Sequence, residues 1–170
     1  LTIWAVRGKD TVAMGHVIDR IAITGSEGGR RFIRTYITVS TLLPTRVDTM
    51  VDLVDGLTPI RRVTVKGDSS YRLEFSNDSL RGESLTPFGK RQRVDWKLPP
   101  HTIDASTFDV LIRGSLLGMG DTISTLAVDP SGFFGVRRLI AKVDGQEEIE
   151  GKQAWRVTSD FPNGMKATFW

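Results

Sequence analysis

The feature that most constrains this chain is alternation. Between Phe32 and Leu42, the residues Ile33, Thr35, Ile37, Val39 and Thr41 fall on one side of an extended backbone, and Arg34, Tyr36, Thr38 and Ser40 on the other. Successive side chains of a strand point to opposite faces, so a period of two marks a strand with one face turned to a core. Val47, Thr49, Val51 and Leu53 repeat the pattern against Arg46, Asp48, Met50 and Asp52. Tyr71, Leu73 and Phe75 repeat it against Arg72 and Glu74, and Val94, Trp96 and Leu98 against Arg93, Asp95 and Lys97. Arg137, Leu139, Ala141 and Val143 alternate less cleanly with Val136, Arg138, Ile140 and Lys142. The apolar side of each run is expected to face the core and the charged side to face water.

Turn chemistry separates these runs at short spacing. Gly25-Ser26-Glu27-Gly28-Gly29, Asp55-Gly56, Lys66-Gly67-Asp68, Ser76-Asn77-Asp78, Phe88-Gly89, Asp144-Gly145 and Asn163-Gly164 all read as hairpin connections. About ten strands joined in this way imply a mainly β fold, a single curved antiparallel sheet built as a meander. One segment breaks the period. Ser106-Thr107-Phe108-Asp109 has the form of a capping box, Phe108, Leu111 and Ile112 follow at helical spacing, and Gly114 is placed to end the turn. A short helix around 106–113 is therefore expected to cover the concave face of the sheet. Without a linker, low-complexity run or repeat, residues 1–170 read as a single domain.

Composition bears on what such a fold can do. The chain has no cysteine, which excludes disulfides, thiolate metal sites and a cysteine nucleophile. No apolar run approaches the roughly 20 residues of a spanning helix, so no transmembrane segment is expected. It begins at Leu1 without a basic-then-apolar leader, the pattern of a processed or trimmed chain. The net charge of +3 is spread over short clusters such as Arg30-Arg31, Arg61-Arg62, Lys90-Arg91-Gln92-Arg93 and Arg137-Arg138. A nucleic-acid footprint gathers charge on one face, with stacking aromatics beside it. Nucleic acid is therefore not an expected partner, whereas weak attraction to anionic lipid is compatible with the charge.

Catalytic chemistry finds little to work with. The two histidines, His16 and His101, lie in an early strand and in a loop after Pro99-Pro100, and no Gly-x-Ser-x-Gly elbow occurs. Neither histidine has a partner at ligand spacing, so no metal site and no cofactor are expected. Glu147-Glu148 and Asp48 with Asp52 are the acidic pairs a glycosidase would need, but they fall on polar strand faces or turns. The glycine-rich turn 25–29 is followed by a strand pattern and lacks the helix dipole of a phosphate cradle. The aromatic residues Tyr71, Phe75, Trp96 and Phe108 sit on apolar faces. They fit either a filled core or a core left partly open as a groove for an apolar ligand.

The stretch Asp104-Ala-Ser-Thr-Phe-Asp-Val-Leu-Ile-Arg113, followed by Leu116-Leu117-Gly118-Met119-Gly120-Asp121, resembles the signature of the bacterial domain-of-unknown-function 3108 family. Upstream, Asp55-Gly56-Leu57-Thr58-Pro59-Ile60-Arg61 matches in order. Downstream, so do Val143-Asp144-Gly145-Gln146-Glu147, Gly151 and Thr168-Phe169-Trp170. That family is similar in architecture to the periplasmic carriers and receptors of lipoproteins. The resemblance implies an exported protein of the bacterial envelope or periplasm and an unclosed half-barrel wrapped around a helical plug. The chain departs from it by stopping at Trp170, where a further strand is expected, and by carrying less helix than the carriers. Within that picture, Asp109 is expected to cap the helix and Arg113 to complement its dipole or pair with a carboxylate, so that Asp104, Asp109 and Arg113 orient it.

The expected function is non-enzymatic binding of an apolar or lipid-like small molecule in a groove between sheet and helix, lined by Tyr71, Phe75, Trp96, Phe108, Leu111 and Ile112. The alternative is a structural or interaction module with a self-filled core, recruiting a protein partner along an exposed sheet edge. A hydrolase comes third.

Overall fold

The computed structural model describes residues 2–7, 10–26, 29–115, 117–129, 135–160 and 166–170, with side chains from residue 15 onward. The expected Asn163-Gly164 turn, Glu27-Gly28 and Leu116 lie outside the described residues. The chain forms two compact units, 1–98 and 99–170.

The first unit is an antiparallel meander. Strands β1 (Thr2–Arg7), β2 (Asp10–Thr24), β3 (Arg31–Ser40), β4 (Arg46–Leu53), β5 (Pro59–Lys66), β6 (Ser69–Ser76), β7 (Ser79–Leu85) and β8 (Arg91–Lys97) pair in chain order into one eight-stranded sheet. It does not close, since β1 and β8 are its two edges. The second unit contains β9 (Ile103–Asp104), the helix α1 (Phe108–Gly114), β10 (Thr122–Asp129), β11 (Gly135–Ile149), β12 (Lys152–Asp160) and β13 (Lys166–Phe169). Its five strands follow the order β13-β12-β11-β10-β9, antiparallel except for the parallel pair β9 and β10.

The mainly β class, the open antiparallel sheet and the single short helix are as expected. The strand count and the number of sheets are not: the described residues form thirteen strands in two sheets, where one sheet was expected. The break falls at Leu98-Pro99-Pro100. The Leu98 N–H is already committed to the Asp78 carbonyl at 2.7 Å, and the two prolines that follow have no N–H to extend a ladder.

The helix lies against the smaller sheet of its own unit. Phe108 and Ile112 join Ile103, Ala127, Leu139, Ala141, Val143 and Val157 in one buried cluster, with Leu111 partly buried beside it. Each fully buried side chain of the size of Phe or Ile contributes about 1.5–3 kcal/mol. The chain enters the helix through a 3-10 turn at Ala105–Thr107, which moves the cap. Asp104 accepts the Ser106 N–H at 2.8 Å, and the buried Thr107 hydroxyl donates to the Asp104 carbonyl at 2.8 Å. Asp104 thus caps the 3-10 turn that leads into the helix. Asp109 stands in the first turn of α1 and the exposed Arg113 in the last.

Candidate functional site: two faces of the eight-stranded sheet

Register decides which side chains meet across β2 to β7. Asp19, Tyr36, Asp48, Thr64, Tyr71 and Ser84 form one transverse row, and Ile21, Arg34, Met50, Arg62, Leu73 and Gly82 form the next row on the same face. Arg34 grips the Asp19 carboxylate with two hydrogen bonds of 2.9 and 2.6 Å and stacks over the Tyr36 ring, 5.4 Å from its centroid. Asp48 accepts two bonds from Arg46 at 2.6 and 3.0 Å, one from Arg62 at 3.0 Å and one from the Thr64 hydroxyl. The Arg62 guanidinium lies 5.7 Å from the Tyr71 ring centroid.

Four charged side chains of this face are closed from water. Arg34, Asp48, Arg62 and Asp52 are only 5, 4, 3 and 1 % exposed. This inverts the expectation that the Arg34, Asp48 and Asp52 side of β3 and β4 faces solvent. The inversion is tolerated because the charges of Asp19, Arg34, Asp48 and Arg62 are each matched by an opposite charge through hydrogen bonds, the condition under which buried ions survive desolvation. Burial pushes the Asp48 carboxyl up. The Arg46 hydrogen bonds, the Arg62 charge and the Thr64 hydroxyl outweigh that and hold it below the usual carboxylate range. Burial raises the Tyr71 phenol despite the Arg62 charge nearby.

As an acid pair, Asp48 and Asp52 do not fit hydrolysis of a glycoside. Four residues along a strand separate them by roughly 13 Å, against the roughly 5–9.5 Å between paired glycosidase carboxyls. The belt holds strands in register and leaves Asp48 no vacancy for a reacting group.

The opposite face is aliphatic and less buried. Ile18, Ile37, Val47 and Val65 make one row across β2 to β5, with Ile18 37 % and Val65 45 % exposed. Ala22, Ile33 and Val51 make a parallel row, and Thr35, Thr49 and Val63 run between the two. Ile33, Ile37, Val39, Val47 and Val63 are half-buried, and of the residues named on this face only Val51 is buried. Exposed Arg20, Arg31, Arg61 and Arg72 fringe the same face.

The six residues expected to line a groove divide between the units. Phe75, Leu80 and Trp96 share a row of the eight-stranded sheet, Tyr71 lies four residues along the same strand face as Phe75, and Trp96 is exposed. Phe108 and Ile112 are consumed in the core of the second unit, with Leu111 against it. His16 and His101 are both exposed. No cluster of three or more metal-ligating side chains occurs among the described residues.

A second polar network was missed in the sequence. Asp144-Gly145, expected to be a hairpin turn, is a bulge inside the continuous strand β11, where the register with β12 shifts between Val143 and Gly145. The bulge turns Asp144 toward Arg156, which bonds Asp144 and Glu147 at 2.8 Å each. Thr158 donates to Asp144 at 2.9 Å, and the Trp170 indole N–H donates to Glu147 at 2.8 Å. Gly145 lets the Arg156 guanidinium approach closely: an added Cβ would stand 3.0 Å from its central carbon, and the arginine would have to give way. The Trp170 and Arg156 hydrogen bonds lower the Glu147 carboxyl, and Arg156 with Thr158 lowers that of Asp144. The Gly118–Asp121 stretch of the resemblance motif is a tied turn. The Asp121 carboxylate accepts the Gly118 N–H at 2.8 Å, and the turn's backbone bonds Val143 at 2.9 and 3.1 Å.

No protein family, curated protein or solved structure matches the chain.

Proposed function

We propose that the chain is a non-enzymatic binding protein that holds an apolar or lipid-like molecule on its eight-stranded sheet, in the bacterial envelope or periplasm. One observation carries the binding reading: the sheet closes one face, where Arg34, Asp48 and Arg62 lie among Phe32, Met50, Leu73 and Leu80, and leaves the opposite, aliphatic face half-open. Contiguous apolar surface is rarely left to water without an occupant. A hydrocarbon chain laid along the Ile18–Val65 row would remove that area from water at about 25 cal/mol per Å². In this reading the ligand lies on the aliphatic rows rather than beside Phe108 and Ile112, whose surface is already buried. The exported setting rests on the resemblance of residues 104–121 to the envelope family named above.

Native mass spectrometry of the protein from its own source, with organic extraction, tests this. A stoichiometric co-purifying lipid, lost from an Ile37→Asp variant that keeps its circular dichroism, is the expected result. A ligand at a hundred times its Kd should also stabilise the fold by about 2.7 kcal/mol. A clean mass with no thermal shift from fatty acids or phospholipids overturns the reading. Strand addition at β8 is opposed by that edge's charge, since Arg91, Arg93 and Lys97 are all exposed there.

A further inference from the structure

Three hairpins of the eight-stranded sheet end on the same side. Residues 41–45 join β3 to β4, 67–68 join β5 to β6, and 86–90 join β7 to β8. Ile37, Val47, Val65, Ser70, Leu85 and Arg91 share one row just inside those connections, so all three leave the sheet at one end. The first and third tips carry the three most exposed large apolar side chains of the described residues: Phe88 at 96 %, Leu42 at 70 % and Leu43 at 60 %.

These side chains are presented by formed turns. The Leu42 and Leu43 N–H groups bond the Ser40 hydroxyl at 3.1 and 3.3 Å. Around Phe88, the Thr86 N–H reaches the Lys90 carbonyl at 2.9 Å and the Gly89 N–H reaches the Thr86 carbonyl at 2.9 Å. Between them, Gly67, at φ +55, lies so near Pro44 that an added Cβ would be 3.2 Å from its side chain. Hairpins two strands apart are about 10 Å apart, so the outer tips stand roughly 20 Å from each other. Lys66, Lys90 and Arg91 are exposed at the bases of these tips, and Asp68 is the one acidic residue in the three connections.

Apolar tips backed by cations match a surface whose outermost layer is anionic and whose next layer is hydrocarbon. We infer that this end of the sheet docks on an anionic lipid bilayer. Phe88, Leu42 and Leu43 enter the headgroup–acyl boundary, and Lys66, Lys90 and Arg91 face the headgroups. The aliphatic row begins directly behind the tips, at Ile37, Val47 and Val65. Docking stands apart from the ligand proposal, because it is read on vesicles and not on a bound molecule.

Co-sedimentation of the full chain with phosphatidylglycerol–phosphatidylcholine vesicles, against phosphatidylcholine alone, tests the inference. Binding to the anionic vesicles that is weakened by salt is expected. A Leu42→Ser, Leu43→Ser, Phe88→Ser variant should lose on the order of tenfold in affinity. A Lys66→Gln, Lys90→Gln, Arg91→Gln variant should lose the preference for anionic lipid. All six positions are exposed, so unchanged circular dichroism and melting temperature confirm folding. Equal binding by the variants, or by neutral vesicles, overturns it. So does a wild-type chain that ignores vesicles but elutes as a dimer broken by Phe88→Ser, which would make the tips a contact between two copies.

Discussion

The two units solve the problem of a β-sheet's buried face in opposite ways. The five-stranded sheet does what alternation predicts: Leu139, Ala141 and Val143 of β11 turn inward, meet Phe108 and Ile112 of the helix, and leave Arg138 and Lys142 to water. The eight-stranded sheet buries Arg34, Asp48 and Arg62 and keeps Ile33, Ile37 and Val47 half-open. The first arrangement gains stability from hydrocarbon leaving water. The second adds direction to that gain: ion pairs with defined geometry lie among buried Phe32, Met50, Leu73 and Leu80, and the opposite aliphatic surface stays half-open.

Replacing core volume against replacing charge is the sharpest way to break this contrast. Phe108→Ala should cost the second unit about 4 kcal/mol in urea unfolding, the sum of lost transfer energy and a cavity. Asp48→Asn should cost the first unit about 3 kcal/mol, because Arg46 and Arg62 keep their charge without its counterpart. A cost near zero would mean that the belt is ornamental and the aliphatic rows hold that sheet together.

Acid should separate the units next. The Asp48 carboxyl titrates lower in the folded protein than in the unfolded chain, so its contribution is present above about pH 4 and is lost as pH falls through the folded value. That acid sensitivity, followed by circular dichroism, should be reduced in Asp48→Asn. At the alkaline end the sign reverses. The raised Tyr71 phenol contributes stability below about pH 10, lost as pH climbs through its folded value. Of the two tyrosines, one should ionise late by ultraviolet absorbance, and Tyr71→Phe should remove that step. The smallest effect is expected at the exposed network on β11 and β12. Arg156→Ala should barely move the melting temperature while changing the fluorescence of Trp170, whose indole shares Glu147 with Arg156.

Much of the fold was legible because period and turns are local properties. Tyr71-Leu73-Phe75 and Leu139-Ala141-Val143 announce their strands, and Phe108, Leu111 and Ile112 announce the helix. The inverted face was not legible, since alternation separates two faces without saying which one turns inward. β-branched residues are favoured on a pleated surface whether or not it is covered, so Ile33, Ile37 and Val47 looked like core. Arg34, Asp48 and Arg62 looked like solvent-facing charges until register set them beside one another. The signal was present in the connections: fixing the register from the 54–58 and 67–68 connections aligns Asp48 with Thr64 and Tyr71. The six residues expected to line a groove divide between the two sheets for a similar reason. Apolar spacing placed Phe108 and Trp96 on apolar faces, but the ladder break at Pro99-Pro100 assigned those faces to different sheets.

Every ladder among the described strands joins neighbours in the chain, from β1 with β2 to β12 with β13. Such a polypeptide never has to hold a strand in waiting for a distant mate. In the eight-stranded sheet each hairpin can zip onto the one before it as the residues arrive, with loop closures short enough to keep the entropic barrier low. The diproline then acts as a full stop in that reading. The edge left at β8 is finished before the second sheet begins, and its exposed arginines and lysine oppose the addition of a stray strand.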